Sequence, residues 1–156
     1  LTFEPKLTLT QNASITQKEQ TFLPHVLPIM KGSTVYLLNE DEFFHNIYSL
    51  TPGSRFNIGR RPPGSPYPIK IKKQGIIKLS CDIHPHMFGI ILSLDTPYCT
   101  RLGSDGKYSL SGLPKGKYEV QIYSSGSNTR KEIVEISRGE PLELNFDLKG
   151  IKVLRP

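Results

Sequence analysis

The sequence of 156 residues has no apolar run of the length that a membrane-spanning helix needs. Its most apolar stretch, residues 87–94, is too short to cross a bilayer. We therefore predict no membrane span. No signal peptide is visible either, but the chain begins with Leu1 and not Met, so this absence does not favour the cytosol.

The sequence also lacks the common catalytic and nucleic-acid-binding motifs. The stretch "GRRPPGSP" has glycines but no following helix, so it is not a phosphate-binding loop. No serine lies in a nucleophile elbow, and the spacing of a calcium loop is absent. Lys and Arg number 20 against 14 Asp and Glu, a net charge of +6, but these charges do not cluster into a basic arm. We predict no nucleic-acid partner and no enzyme activity.

Helical periodicity is weak along the whole chain, whereas apolar and polar residues often alternate between the 13 glycines and 13 prolines. This pattern predicts an all-β protein. A long loop or an edge segment is expected at 51–68, and the acidic run of residues 40–42 is interpreted as a solvated turn. Strands are predicted at 7–10, 13–16, 33–40, 43–50, 69–75, 75–81 and 88–94.

The pattern changes near Asp95. Asp105-Gly106 predicts a hairpin turn, and the segments "KYEVQIY", "KEIVEIS" and "LELNFDLKG" predict short antiparallel strands. We predict two units, residues 1–94 and 95–156. Leu94 to Pro97 is too short for a flexible linker, so the two units are expected to pack together.

The stretch "KLSCDIHPHMFGI" carries one of the two cysteines, two of the four histidines and one of the two methionines. Cys81, His84 and Met87 have the spacing C-x2-H-x2-M. A thiolate, an imidazole and a thioether are soft ligands that favour copper over magnesium or calcium, and zinc rarely takes a thioether. A blue-copper site needs a second histidine. His86 is a poor candidate because Pro85 separates it from His84, and His45 in "FFHNIYS" fits better.

Together, "FHNIYS" and "CDIHPHM" resemble the cupredoxins, the small type 1 copper proteins, and the loop spacing is similar to that of amicyanin. The segment "FLPHVLPIMKGSTVYLLNEDEFFHN" resembles the same family, so the match covers roughly residues 20–94. The resemblance implies a Greek-key β-sandwich with one copper ion per chain. It implies that Asn46 steadies the cysteine loop, and that the copper ligands are His45, Cys81, His84 and Met87.

The segment "SDGKYSLSGLPKGKYEVQIY" resembles the regulatory-type β-sandwich domain found after carboxypeptidases, over about residues 95–149. The fusion of the two domains resembles a bacterial group labelled methylamine-utilisation-like. This second domain offers no residues with an evident chemical role.

The cupredoxin resemblance implies one-electron transfer with a transient redox donor and acceptor in the bacterial periplasm or outside the cell. Four filled ligand positions argue against catalysis at the metal. His84 would be the ligand nearest solvent, inside a rim of Pro85, His86, Phe88 and Pro62-Pro63. The net positive charge would steer an acidic partner.

Two other functions stay open at this point. The same ligands would serve a copper-delivery protein that does not cycle between redox states. A metal-free structural or adhesion module would instead use a Cys81–Cys99 disulfide. Met87 could also be a core residue, and His86 and His25 are possible accessory ligands.

Overall fold

The computed structural model of the protein describes residues 12–123, 130–137 and 142–146. Regular structure in these ranges consists of β-strands, without a helix. The strands are β1 Asn12–Lys18, β2 Thr21–Leu23, β3 Val26–Met30, β4 Thr34–Asn39, β5 Ile47–Ser49, β6 Phe56–Asn57, β7 Tyr67–Lys70, β8 Gly75–Cys81, β9 Phe88–Leu94, β10 Gly116–Ile122 and β11 Arg130–Ile136. The all-β prediction is confirmed, and the predicted strand at 7–10 lies outside the described residues.

Strands β1 to β9 form two sheets. One has the order β2-β1-β4-β7 and the other the order β3-β9-β8-β5-β6. β1 pairs in parallel with β4, and β3 with β9, whereas the remaining pairs are antiparallel. Neighbours in a sheet are therefore often distant in sequence, as in a Greek-key sandwich.

The core lies between these sheets because each strand turns its alternate apolar residues inward. In β4, for example, Val35 and Leu37 are buried and their neighbours are partly exposed. Both sheets contribute to one cluster, whose strand members are Ile15, Phe22, Leu27, Ile29, Val35, Leu37, Ile47, Ile77, Leu79, Cys81 and Ile91. Burying this apolar surface is the main force that holds the sandwich together.

Gly89 in β9 allows the two sheets to approach closely. A Cβ atom at this position would lie 3.1 Å from a ring carbon of Phe22 in β2. Phe22 is fully buried, so it has little room to move. A glycine here lets the aromatic ring pack against the strand that follows the Cys81 loop.

Several predicted strands need correction. β8 and β9 occupy the predicted ranges 75–81 and 88–94, but the strand predicted at 43–50 is reduced to β5. The segment 51–68, predicted as a loop or edge segment, contains β6, which is an edge strand of its sheet. The residues before β5 form a turn instead. Asn39 holds this turn, since its side chain donates to the carbonyl of Phe43 at 2.7 Å and accepts from the amide of Asp41 at 3.0 Å.

The chain divides into two compact units between Cys99 and Thr100. In the second unit, β10 and β11 form an antiparallel pair. Asp105-Gly106 lies in a turn closed by the amide of Gly103 and the carbonyl of Lys107, but no strands flank it. Residues 142–146 are not a strand, and the rest of that predicted strand lies outside the described residues. The regulatory-type sandwich stays a prediction.

Candidate metal centre

The hairpin loop between β8 and β9 carries three of the four predicted ligands. Cys81 is the last residue of β8, and its side chain points into the core with 1% exposure. His84 lies in the loop and is partly exposed. A backbone hydrogen bond of 3.0 Å from the amide of Met87 to the carbonyl of His84 closes the loop. Its two ends are fixed because β8 and β9 pair along their length.

The backbone of His45 is held beside this loop by a pair of hydrogen bonds to Arg61. Its amide donates to the carbonyl of Arg61 at 3.1 Å, and its carbonyl accepts from the amide of Arg61 at 2.7 Å. Two residues later, Ile47 in β5 pairs directly with Cys81. The carbonyl of Asn46 accepts from the amide of Asp82 at 3.2 Å. These bonds place the imidazole of His45 over Cys81.

The side chains of His45, Cys81 and His84 form one cluster of metal-ligand atoms. Sγ of Cys81 lies 3.7 Å from Nδ1 of His45 and 3.9 Å from Nδ1 of His84, and the two Nδ1 atoms are 3.1 Å apart. Cys81 has a free thiol. The alternative of a Cys81–Cys99 disulfide is therefore wrong.

The triangle of ligand atoms has the size of a mononuclear site. Metal–nitrogen and metal–sulfur bonds of about 2.0–2.3 Å let two ligands of one ion lie up to roughly 4 Å apart. All three edges of the triangle fall below this limit. One thiolate and two imidazoles are ligands that copper takes readily, so the three residues fit one copper ion per chain.

The fold of this unit is found among solved structures. The copper-containing nitrite reductase NirK from Thermus scotoductus SA-01 matches with 28% identity and a TM-score of 0.51, over 54% of this chain and 22% of that chain. An amicyanin variant in its oxidised state matches with 16% identity and a TM-score of 0.50, over 54% of this chain and 83% of that chain. The unit has a cupredoxin-type fold.

A purple cupredoxin from Nitrosopumilus maritimus also matches, with 26% identity and a TM-score of 0.47, over 53% of this chain and 99% of that chain. The present chain spans only about a fifth of the nitrite reductase. No protein-family model and no curated protein matches the sequence. Among the described residues, no helix has the length and apolar character needed to cross a membrane.

Asp41 contacts the far side of the His45 ring, away from Cys81. Its Oδ2 lies 2.8 Å from Nε2 of His45, and both side chains are buried. Burial alone would raise the pKa of Asp41, but hydrogen bonds from Gln20, His45 and Glu19 outweigh it and hold the pKa below its ordinary value. Asp41 is therefore a carboxylate, and His45 has its Nδ1 free for a metal.

Phe43, which is 39% exposed, packs against both imidazoles. Its ring centroid lies 5.3 Å from that of His45 and 5.2 Å from that of His84. Burial lowers the pKa of His84, and the imidazoles of His45 and His86 lower it further, against an opposing effect of Asp41. His84 is thus kept in the neutral form that binds metals.

The remaining predicted residues lie around this cluster. Met87 is buried, with 2% exposure, in the same core cluster as Cys81. The side-chain amide of Asn46 donates to Oδ2 of Asp82 at 2.9 Å, which ties the segment of His45 to the residue after Cys81. His86 and His25 are exposed, and neither belongs to the ligand cluster of His45, Cys81 and His84.

Sequence reasoning missed the roles of two residues in this centre. Asp41 belongs to the acidic run interpreted as a solvated turn, and this interpretation is wrong for Asp41, which is 8% exposed. The signal was the spacing of four residues between Asp41 and His45 in a tight turn. The sequence predicts a strand that includes Phe43. Its contact with both imidazoles instead depends on the turn before β5.

Proposed function

We propose that the protein is a one-electron carrier with a mononuclear type 1 copper site. His45, Cys81 and His84 would be the strong ligands and Met87 the weak axial one. The observation that carries the proposal is the triangle of one thiol and two imidazoles, with edges of 3.1–3.9 Å, in a cupredoxin-type sandwich. Similarity to a nitrite reductase described as copper-containing supports the choice of metal.

The surroundings of the ligands suit electron transfer because they resist rearrangement. When bound, copper supplies one-electron chemistry between its 1+ and 2+ states. Cys81 and His45 are fully enclosed and are fixed by strand pairing and by backbone bonds to Arg61. A thioether of Met87 would lie in the core close to Cys81, where it would adjust the reduction potential. Ligands held in one arrangement keep the reorganisation on electron transfer small.

The route for the electron would pass through the outer edge of the site. His84 is the proposed ligand that is partly exposed. The ring of Phe43, which contacts His84, is in a side chain that is 39% exposed, and Phe44, the next residue after Phe43, is 52% exposed. Pro85 and His86 of the predicted rim are also exposed. An apolar surface of this kind suits a brief contact with a redox partner.

The net charge of +6 would steer an acidic partner to this surface. An association rate that does not change with ionic strength would contradict this part of the proposal. We also propose a periplasmic or extracellular location, where copper proteins of this type are loaded. Fractionation of the native host, with immunodetection of the chain, tests the location.

We propose that this centre does not turn over a substrate. The four ligands proposed above fill the coordination positions, which leaves none for a reacting molecule. The similar nitrite reductase supplies the direct test, since nitrite is the substrate in its name. Copper-loaded protein with excess reductant is expected to leave nitrite unchanged, and steady consumption of nitrite over many turnovers would show that the centre is catalytic.

The experiment for the main proposal is a titration of the metal-free protein with Cu(II), followed by visible absorption and EPR, beside Cys81→Ser. We expect an intense thiolate-to-copper band that saturates at one equivalent, is bleached by ascorbate and is missing in the variant. A band that ascorbate cannot bleach reversibly would favour copper delivery. A colourless protein with its thiols intact would overturn the electron-transfer proposal.

A further inference from the structure

The carboxylate of Asp41 accepts three hydrogen bonds from two different parts of the chain. Its Oδ1 accepts from the amide of Glu19 at 2.5 Å, and its Oδ2 accepts from the amide of Gln20 at 3.0 Å. The third donor is Nε2–H of His45 at 2.8 Å. The side chain is 7% exposed, so these donors replace nearly all of its water. Removing the carboxyl group of Asp41 from water costs free energy. The three donors offset this cost fully only when the group is a charged carboxylate, because hydrogen bonds to a charged acceptor are stronger.

The two amides belong to the tight turn between β1 and β2. Glu19 and Gln20 have φ values of 51° and 55°, the left-handed conformation that a two-residue turn of this type requires and that Asn or Gly adopts more easily. Lys18 pairs with Thr21 across the turn. Successive amides in this conformation point the same way and form a concave anion site. Here the anion is Asp41, which offsets the strain of two residues with side chains.

The bond to His45 determines which ring nitrogen can bind a metal. Because a carboxylate only accepts hydrogen bonds, Nε2 must carry the proton, and Nδ1 is left with its lone pair. That Nδ1 points to Sγ of Cys81 and Nδ1 of His84, at 3.7 Å and 3.1 Å. A negative partner behind an imidazole also makes the imidazole a stronger electron donor.

We propose that Asp41 is a positioning residue that fixes the tautomer of His45 and stabilises the higher oxidation state of a metal bound there. This inference rests on the proposed copper site. A stronger donor and a nearby negative charge both favour Cu(II) over Cu(I). Asp41 therefore lowers the reduction potential of the centre, and it links the β1–β2 turn to the buried ligand.

The test compares Asp41→Asn with Glu42→Gln in the copper-loaded full chain. Both substitutions turn a carboxylate into an amide in neighbouring residues, but Glu42 is exposed. The measured quantities are the reduction potential and the affinities for Cu(II) and Cu(I). We expect Asp41→Asn to raise the potential, with a fall of about tenfold in the ratio of Cu(II) to Cu(I) affinity. Glu42→Gln is expected to change this ratio much less. Equal shifts in the two variants would overturn the inference.

A second measurement uses the unmodified protein, so it does not depend on whether Asp41→Asn folds. In ¹⁵N-labelled Cu(I)-loaded protein, we expect His45 to show a proton on Nε2 that exchanges slowly with water and resonates downfield. A proton on Nδ1, or a metal on Nε2, would overturn the inference. The tautomer of His45 can also be read in the metal-free protein. A missing copper band would then count against the proposed function alone.

Discussion

His45 and His84 have their Nδ1 atoms only 3.1 Å apart, yet the chain treats the two rings differently. His45 is fully buried, its backbone makes two hydrogen bonds to Arg61, and its ring is held by Asp41. His84 lies in the β8–β9 loop, partly exposed, in contact with the exposed ring of Phe43. One side of the site is fixed in the core and the other side is open to solvent, where the proposed redox partner would bind. A small electron carrier needs both properties, because rigidity keeps reorganisation small and exposure shortens the path to the partner.

The largest expected effect separates the two ligands by access. His84→Gly and His45→Gly should each abolish the thiolate-to-copper band, because each removes one of the three proposed strong ligands. Added imidazole should restore the band in His84→Gly, since the vacated position opens to solvent. It should fail in His45→Gly, where the ring is enclosed by the core. Visible absorption during an imidazole titration measures both.

The control is the addition of imidazole to the copper-loaded wild-type protein. It shows any effect of imidazole on the band that does not depend on a vacated histidine position. Equal rescue of the two variants would mean that the His45 side is as accessible as the His84 side. The proposed difference in solvent access between His45 and His84 would then be wrong.

The two segments should also differ in how much they contribute to stability. Ile47 follows His45 by two residues and is fully buried, whereas Ile83 precedes His84 and is only partly buried against the core. Ile47→Ala should lower the free energy of unfolding by about 2–5 kcal/mol, the cost of a cavity in a packed core. Ile83→Ala should cost less than half as much.

Urea unfolding of the metal-free protein measures both values, and the substitution is chemically the same at the two positions. Similar losses would show that the loop of His84 is packed as firmly as the turn of His45. The difference in exposure between the two rings would then say little about rigidity.

Met87 combines the two environments, because it ends the β8–β9 loop that carries His84 but is buried like His45. Met87→Leu keeps the volume, so it should cost less than about 1.5 kcal/mol of stability. The reduction potential should rise, because the variant loses the thioether that would donate to Cu(II). Voltammetry of wild type and variant checks the potential, and an unchanged potential would make Met87 a core residue only.

Much of this site could be predicted from the sequence because local patterns carry it. The spacing of Cys81, His84 and Met87 lies within one loop, and the strands on either side of it alternate clearly or are continuously apolar. The role of Asp41 could not be predicted in the same way. It depends on amides of Glu19 and Gln20, about twenty residues earlier, and these meet Asp41 only after β1 and β4 have paired.

In the second unit, a local turn signal does not suffice to predict the strands around it. Asp105-Gly106 does form a turn, but the residues on each side do not form the strands that a hairpin requires. Turn chemistry is local, whereas a strand needs a partner along its edge. β10 and β11 meet this condition, and they lie in two of the segments for which strands are predicted, "KYEVQIY" and "KEIVEIS".

The smallest expected effect concerns the metal-free protein at mildly acidic pH. Burial and the neighbouring His45 and His86 lower the pKa of His84, against the opposing effect of Asp41. Below about pH 6.5, the ordinary pKa of histidine, the unfolded chain therefore binds a proton that the folded chain resists. Since the unfolded state then binds more protons, stability should fall as the pH drops through this range.

Melting temperatures at pH 7.5, 6.5 and 5.5 should decline more in wild type than in His84→Asn. Exposed His86→Asn should reduce the decline only slightly, because it removes just one of the neighbouring charges. A decline that is unchanged in His84→Asn would assign the pH dependence to another group. His84 would then take up a proton as readily as a surface histidine.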